Sequence, residues 1–264
     1  MLTLGLNFVK IYMSEVKAMK ILAEYRYDGI YHLEFEFKGK KCIALMNEDE
    51  TKRNGKTVLK TEYFGAFPDM QNEMIKRGYT LIFIENRNRW GTPSEIEDQY
   101  EFILYASKEL GIENKVFTIG MSCGGMMSVL LAAKHPEVIN ALYIDAPVMN
   151  FLSCPARFGN APDVHDGMWV EFENAWGMTK EEILLFRGHP IDYLDKLVEN
   201  KIKIYMAYGD SDKTVPYLEN GIALERKYKE CGLENLLYID KKVGVDHHPH
   251  GPSNIDFAIK YLEN

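Results

Sequence analysis

Along the chain, apolar positions switch repeatedly between a period of two and a period of three to four. Tyr31–Lys38 (YHLEFEFK) alternates apolar and polar residues, Gly39-Lys40 follows, and Lys41–Met46 is an apolar run. That succession predicts a β-hairpin with a tight turn. Thr57–Phe64 predicts a strand ending at Gly65, and Asp69–Arg77 has helical spacing that stops at Gly78. Thr80–Glu85 (TLIFIE) is a compact apolar run, the pattern of a strand covered on both faces. Ser94–Leu110 is amphipathic, with Ser94 as its expected cap and Gly111 as its stop.

The alternation continues. Strands are expected over Lys115–Gly120, Val138–Ile144, Lys201–Tyr208 and Asn235–Asp240. Helices are expected over Cys123–Lys134, Tyr217–Cys231 and Ser253–Leu262. Between about Met149 and Lys196 the pattern breaks into short helical pieces with Gly, Pro, Trp169 and Trp176. Strands alternating with helices predict an α/β class protein. Its sheet is mostly parallel, with an antiparallel N-terminal edge and helices on both faces. The irregular stretch is expected to lie as a small lid over the sheet's carboxyl edge, where open α/β sheets carry their sites.

Charge and cysteine usage narrow the partners. Against 31 Lys+Arg stand 39 Asp+Glu, a formal net charge of −8. That disfavours nucleic acid and anionic membrane as partners, since both need a basic face. Cys42, Cys123, Cys154 and Cys231 are scattered, with no C-x-x-C pair, so reduced thiols in a cytoplasmic protein are expected. No signal peptide and no run of about 18 apolar residues is evident. Met1–Lys17 reads equally as a short added helix or a ragged end.

The chemistry concentrates at three places. Gly120–Gly124 reads G-x-S-x-G, with a strand before it and an apolar helix after it, the context a nucleophile elbow requires. The sharp turn would lift Ser122 Oγ clear of the sheet, at a helix N-terminus that favours a developing oxyanion. A catalytic thiol at Cys123 is the weaker alternative. A serine needs a base, and the base an orienting carboxylate. The loop after Lys201–Tyr208 offers Asp210 and Asp212; Asp212 is favoured, Asp210 being placed for an Asx-turn with its own loop. Asp145 is the third option. After the last strand, His247, His248 and His250 lie within four residues; His247 is favoured as base and the other two stay open. Their spacing is too close to assume a common tetrahedral metal site. No metal or organic cofactor is required.

Together, Thr61–Met70 (TEYFGAFPDM), Gly120–Glu137, Leu142–Pro155, Tyr208–Asn220 and His247–Gly251 resemble the α/β-hydrolase superfamily. The resemblance runs from about Tyr25 onward and is nearer a branch of bacterial serine esterases. That branch usually carries Arg after the nucleophile, where this chain has Cys123. The resemblance implies the α/β-hydrolase fold and an oxyanion hole of two backbone N–H groups, from Ala66 and Cys123. Gly65 would let the backbone approach substrate, and Phe67, Trp169 and Glu62 are assigned to substrate binding. Glu62 reads either as a partner for a sugar hydroxyl or as a structural carboxylate. Arg87, Asn88, Arg89 and Trp90 read either as a solvated loop or as a contact for an acidic or carbohydrate-bearing substrate.

The expected function is a serine carboxylic-ester hydrolase, acting through an acyl-enzyme on short-chain, carbohydrate or phenolic acyl esters. A peptidase or thioesterase with the same triad is the rival enzyme. A low-turnover small-molecule binding protein on the same fold is the rival of another class. The partner expected is a small-molecule ester, and homo-oligomerisation stays open. Because Ser122, Asp212 and His247 must meet from distant parts of the chain, a single domain over residues 1–264 is expected, with its lid over 149–196.

Overall fold

The structure is a computed structural model and describes residues 19–247 and 251–264. Met1–Lys17, His248 and His250 therefore lie outside the described residues. The chain opens with three antiparallel strands: β1 (Lys20–Tyr27), β2 (Ile30–Phe37) and β3 (Lys40–Asn47). Two turns, Asp28-Gly29 and Lys38-Gly39, fold them back, each with φ of 50° and 75°. Two successive positive φ values are what a type I′ hairpin turn needs, and Gly supplies the second without strain. The second turn sits one residue before the Gly39-Lys40 expected, because Lys40 already belongs to β3. The strand β1 was not expected at all.

The parallel part follows with β4 (Thr57–Lys60), α1 (Asp69–Lys76), β5 (Thr80–Ile84) and α2 (Pro93–Leu110). Next come β6 (Val116–Met121), α3 (Cys123–Lys134) and β7 (Ile139–Asp145). The lid carries α4 (Asp166–Trp176), α5 (Lys180–Ile183) and α6 (Leu194–Glu199). The chain then returns through β8 (Lys203–Gly209), α7 (Gly221–Glu230), β9 (Leu237–Lys242) and α8 (Ile255–Glu263). The sheet order is β1-β2-β3-β5-β4-β6-β7-β8-β9, antiparallel as far as β5 and parallel from there.

Helices cover both faces. Met70, Met74 and Ile75 of α1 and Ala258, Ile259 and Leu262 of α8 bury one face. On the other, α2, α3 and α7 pack with the lid. Helix α3 is buried along nearly its whole length, so its amphipathicity is weak and its position under the lid is fixed by apolar contact on all sides. The register aligns strand ends at one edge. Met121 pairs with Asp145, Asp145 with Ala207, and Gly209 with Lys242. The loops after β6, β8 and β9 thus leave the sheet side by side.

Several boundaries differ from the sequence expectation for local reasons. The strand read over Thr57–Phe64 stops at Lys60, because Tyr63 takes a positive φ of 54° and turns the chain. Helix α2 begins at Pro93 with Thr92 as cap residue, and neither Thr92 nor Ser94 makes a side-chain cap bond; their hydroxyls lie 3.2 Å apart. Its end at Gly111, with φ of 67°, is as expected. The helix read over Tyr217–Cys231 breaks at Asn220, which is buried and reaches into the lid. Its Oδ1 accepts the amides of Met149 and Asn150 at 2.9 and 3.0 Å. Holding those lid amides requires a non-helical Asn220, so α7 starts one residue later.

Candidate active site

The turn between β6 and α3 places Ser122 at φ 51°, ψ −117°, a strained conformation for a residue with a Cβ. It persists because its surroundings fix it from several sides. Ser122 N–H donates to Asp145 O at 2.8 Å, and Ser122 O accepts from Met126 and Val148. A Cβ on Gly120 would fall 2.3 Å from Gly124 O, so only glycine lets β6 run this close to α3. Thr61 Oγ1 also donates to Gly124 O, at 2.7 Å, pinning the first turn of the helix to the end of β4.

His247 and Asp212 arrive from the loops after β9 and β8. His247 Nε2 lies 3.1 Å from Ser122 Oγ, and His247 Nδ1 lies 2.8 Å from Asp212 Oδ2. The other Asp212 oxygen accepts the amides of Thr214 and Val215, at 2.9 and 2.7 Å. Burial alone would raise the Asp212 pKa. The bond to His247 and the two amides outweigh it and hold the carboxyl below its ordinary value. Asp246 ties the two loops together, accepting from Lys213 N and His247 N. Ser122, His247 and Asp212 thus form one hydrogen-bonded chain, an arrangement in which an imidazole is placed to take a serine proton.

A cavity of about 280 Å³ opens over Ser122 and His247. Its wall is largely apolar, from Met121, Cys154, Met168 and Trp90, with Tyr63, Arg89 and Thr214 as polar members. Cys123 also borders it, but burial pushes its thiol up to about 11, which keeps it protonated and a poor nucleophile.

Comparison with known proteins agrees with this architecture. A family model described as alpha/beta hydrolase fold matches residues 76–172. Among solved structures, Est1E from Butyrivibrio proteoclasticus superposes with a TM-score of 0.58 at 16% identity, over 88% of this chain and 96% of that one. Acetyl xylan esterase 1 from Thermoanaerobacterium sp. gives 0.57 at 13%, over 93% and 87%. Dipeptidyl peptidase 4 of Porphyromonas gingivalis gives 0.62 at 12%, over 90% of this chain and 36% of that one. The chain spans about a third of the length of the dipeptidyl peptidases it matches. No curated protein matches it significantly. The chain has the α/β-hydrolase fold.

Within that fold, the other residues singled out from the sequence fall into two groups. Ala66 and Phe67 border the cavity with Ser122, Cys123 and His247. The N–H of Cys123, first residue of α3, has no acceptor among the described residues and stands beside the nucleophile. Ala66 differs from expectation: its N–H donates to Tyr63 O at 2.9 Å, closing a tight turn, and is not available to an oxyanion. Gly65 is exposed, has no neighbour within 4 Å of where a Cβ would sit, and does not border the cavity. Trp169 is buried against Phe172 inside the lid, while its neighbour Met168 faces the cavity. Glu62 accepts from Asn86 Nδ2 at 2.6 Å behind the helix start and also stays out of the cavity wall. Burial raises its pKa against the lowering pull of Asn86.

The alternatives for acid and base separate in the same way. Asp210 Oδ1 accepts from Gly244 N at 2.7 Å, so it staples the two loops instead of closing an Asx-turn of its own. Asp145 is buried on the far side of Ser122, where it accepts from Tyr143 Oη. His189 is a lid residue whose Nδ1 accepts from Phe151 N at 3.1 Å; burial lowers its pKa and favours that neutral form.

Sequence reasoning missed Tyr63. Its hydroxyl borders the cavity, contacts the Cys123 thiol and accepts from Arg89 Nη1 at 3.4 Å. Burial raises its pKa, so the O–H remains a donor. The sequence marks the turn at Gly65 directly after it, but not the positive φ of 54° that swings Tyr63 itself out of strand geometry.

Proposed function

We propose that the protein is a serine carboxylic-ester hydrolase working through an acyl-enzyme. The observation that carries this reading is the continuous chain Ser122 Oγ, His247 Nε2, His247 Nδ1, Asp212 Oδ2 at the mouth of an apolar cavity. Ser122 Oγ attacks the ester carbonyl as His247 takes its proton. Asp212 fixes the imidazole tautomer and stabilises the imidazolium that forms. His247 then gives the proton to the leaving alkoxide. Water, deprotonated by the same imidazole, releases the acid from Ser122.

The oxyanion hole we assign is the Cys123 N–H together with the Tyr63 hydroxyl, in place of the Ala66 N–H. Two facts support it: the Ala66 N–H is already engaged, and Tyr63 presents a protonated donor in the cavity wall. Arg89 donates to the Tyr63 oxygen, which leaves the hydroxyl hydrogen to point elsewhere.

Esters are favoured over peptides because Est1E and acetyl xylan esterase 1 are each matched over most of their length. The cavity volume of about 280 Å³ favours a short acyl group. A series of p-nitrophenyl esters tests this: kcat/KM is expected to be highest for acetyl to butyryl and at least tenfold lower for dodecanoyl. A preference for the longest chain would overturn the short-acyl assignment.

A further inference from the structure

The site contains a cation that the triad chemistry does not use. Arg89 leaves the end of β5 on a short loop and its guanidinium stands between two hollows. The inner one holds Ser122 and His247, and the outer one, of about 520 Å³, is bordered by Arg87 and Glu171. The guanidinium is oriented from two sides. It lies 5.3 Å from the Trp90 ring centroid and donates to Tyr63 Oη. A flat fork held this way keeps donors free for a planar acceptor.

Its carboxylate partner among the described residues is Glu171 of α4, which receives Nε at 2.8 Å and Nη2 at 2.7 Å. Glu171 is half exposed and belongs to the lid, so this is an ion pair of the weak, exchangeable kind. The inner wall beside Arg89 is Met121, Cys154, Met168 and Trp90. A carboxylate drawn into that less hydrated space would form a stronger bidentate pair with Arg89 than Glu171 does at the rim. Arg87, by contrast, borders only the outer hollow, 3.7 and 3.6 Å from Glu95 and Asp98. In a chain of net charge −8, a cation lining the same cavity as Ser122 has a selective effect on anionic substrates that the overall charge would oppose.

We propose that Arg89 binds a carboxylate carried by the substrate, and that Glu171 takes that place when the cavity is empty. The substrate class is an ester bearing a carboxylate a few atoms from its scissile carbonyl. The carboxylate sits either on the acyl part, as in a half-ester of a dicarboxylic acid, or on the alcohol part. This inference rests on the esterase reading for the word substrate, but the anion site itself can be measured without turnover.

The experiment is calorimetric titration of Ser122→Ala protein with monoethyl glutarate, with diethyl glutarate, and with O-butyrylglycolate beside ethyl butyrate. At least one carboxylate ester is expected to bind tenfold or more tightly than its neutral counterpart, and which one does so identifies the side that carries the charge. Adding Arg89→Met is expected to bring the ratio to about one, Arg89→Lys to retain part of it, and Glu171→Gln to raise it severalfold. Equal binding of charged and neutral esters, or a preference that survives Arg89→Met, would overturn the proposal. Labelling of wild-type Ser122 by a fluorophosphonate separates the two readings. Labelled protein without an anion preference sinks the Arg89 site alone. Unlabelled protein that still binds the half-ester through Arg89 sinks the esterase reading alone.

Discussion

The turn after β6 and the loop after β4 face each other across the same cavity, yet they are built by different means. At the β6–α3 turn the backbone does the work. Gly120 admits the close approach of the helix, Ser122 takes the strained angle, and the Cys123 N–H is left without an acceptor among the described residues. The loop after β4 spends its backbone on itself: Ala66 N–H closes on Tyr63 O, and Lys60 Nζ donates to Ala66 O at 3.1 Å. What that loop offers the cavity is a side chain, the Tyr63 hydroxyl. The lesson is that one half of the proposed oxyanion site is written in glycine spacing while the other half depends on a single rotamer. The first is sensitive to any side chain added at its glycines and the second to loss of the one hydroxyl.

The largest expected effect concerns the orienting carboxylate. Asp212→Asn should lower kcat by about 10⁴-fold, the scale of losing tautomer control of a catalytic imidazole. Asp210→Asn, whose carboxylate contacts the Gly244 amide, the Ser211 hydroxyl and Lys241, should stay within about tenfold. Steady-state kinetics on p-nitrophenyl acetate reads both, and a reversal of the order would show that the acid has been misassigned.

Next in size is the comparison itself. Tyr63→Phe removes one donor and nothing else of comparable volume. It is expected to lower kcat by about 10²–10³-fold with little change in KM, the usual effect of losing one oxyanion-hole donor. Unchanged kcat would return the second donor to the backbone and erase the contrast drawn between the two loops.

The smallest effect is on stability. Lys60 is almost wholly buried, and burial pulls its pKa down to about 8, against the raising influence of Asp145. The unfolded chain, with an ordinary lysine, binds this proton more tightly. Between about pH 8 and the unfolded value near 10.4, the unfolded state therefore holds more protons, and the Lys60 term makes folding stability rise with pH. The full shift corresponds to about 3 kcal/mol. Urea unfolding of wild type and Lys60→Met from pH 7.5 to 10 should show a difference between the two proteins that changes by up to that amount. A pH-independent difference would mean that Lys60 is not titrating in this window.

Much of this was legible in the sequence where function sits on short local patterns. Ser122 follows from G-x-S-x-G between a strand and a helix, Asp212 from its loop past a strand end, and His247 from its place after the last strand. The sheet edge brings these three together as the chain order implied. The losses have physical causes. Tyr63 was read as strand because its neighbours alternate, and nothing local announces a positive φ at a non-glycine residue. Trp169 was expected at the cavity, but neighbours on a helix point about 100° apart, so Met168 faces the cavity and Trp169 the lid core. Strand β1 is an exposed edge with little buried apolar surface to mark it, although Asp28-Gly29 is a strong hairpin signal in retrospect.

The central claim is that Ser122 is an activated nucleophile, and one measurement tests it most directly. Wild-type protein is incubated with a fluorophosphonate and its mass adduct is located by peptide mass spectrometry. The account predicts one adduct per chain on the peptide carrying Ser122, lost in Ser122→Ala and slowed severely in His247→Ala. An unmodified wild-type Ser122, or an adduct that persists in Ser122→Ala, would contradict it.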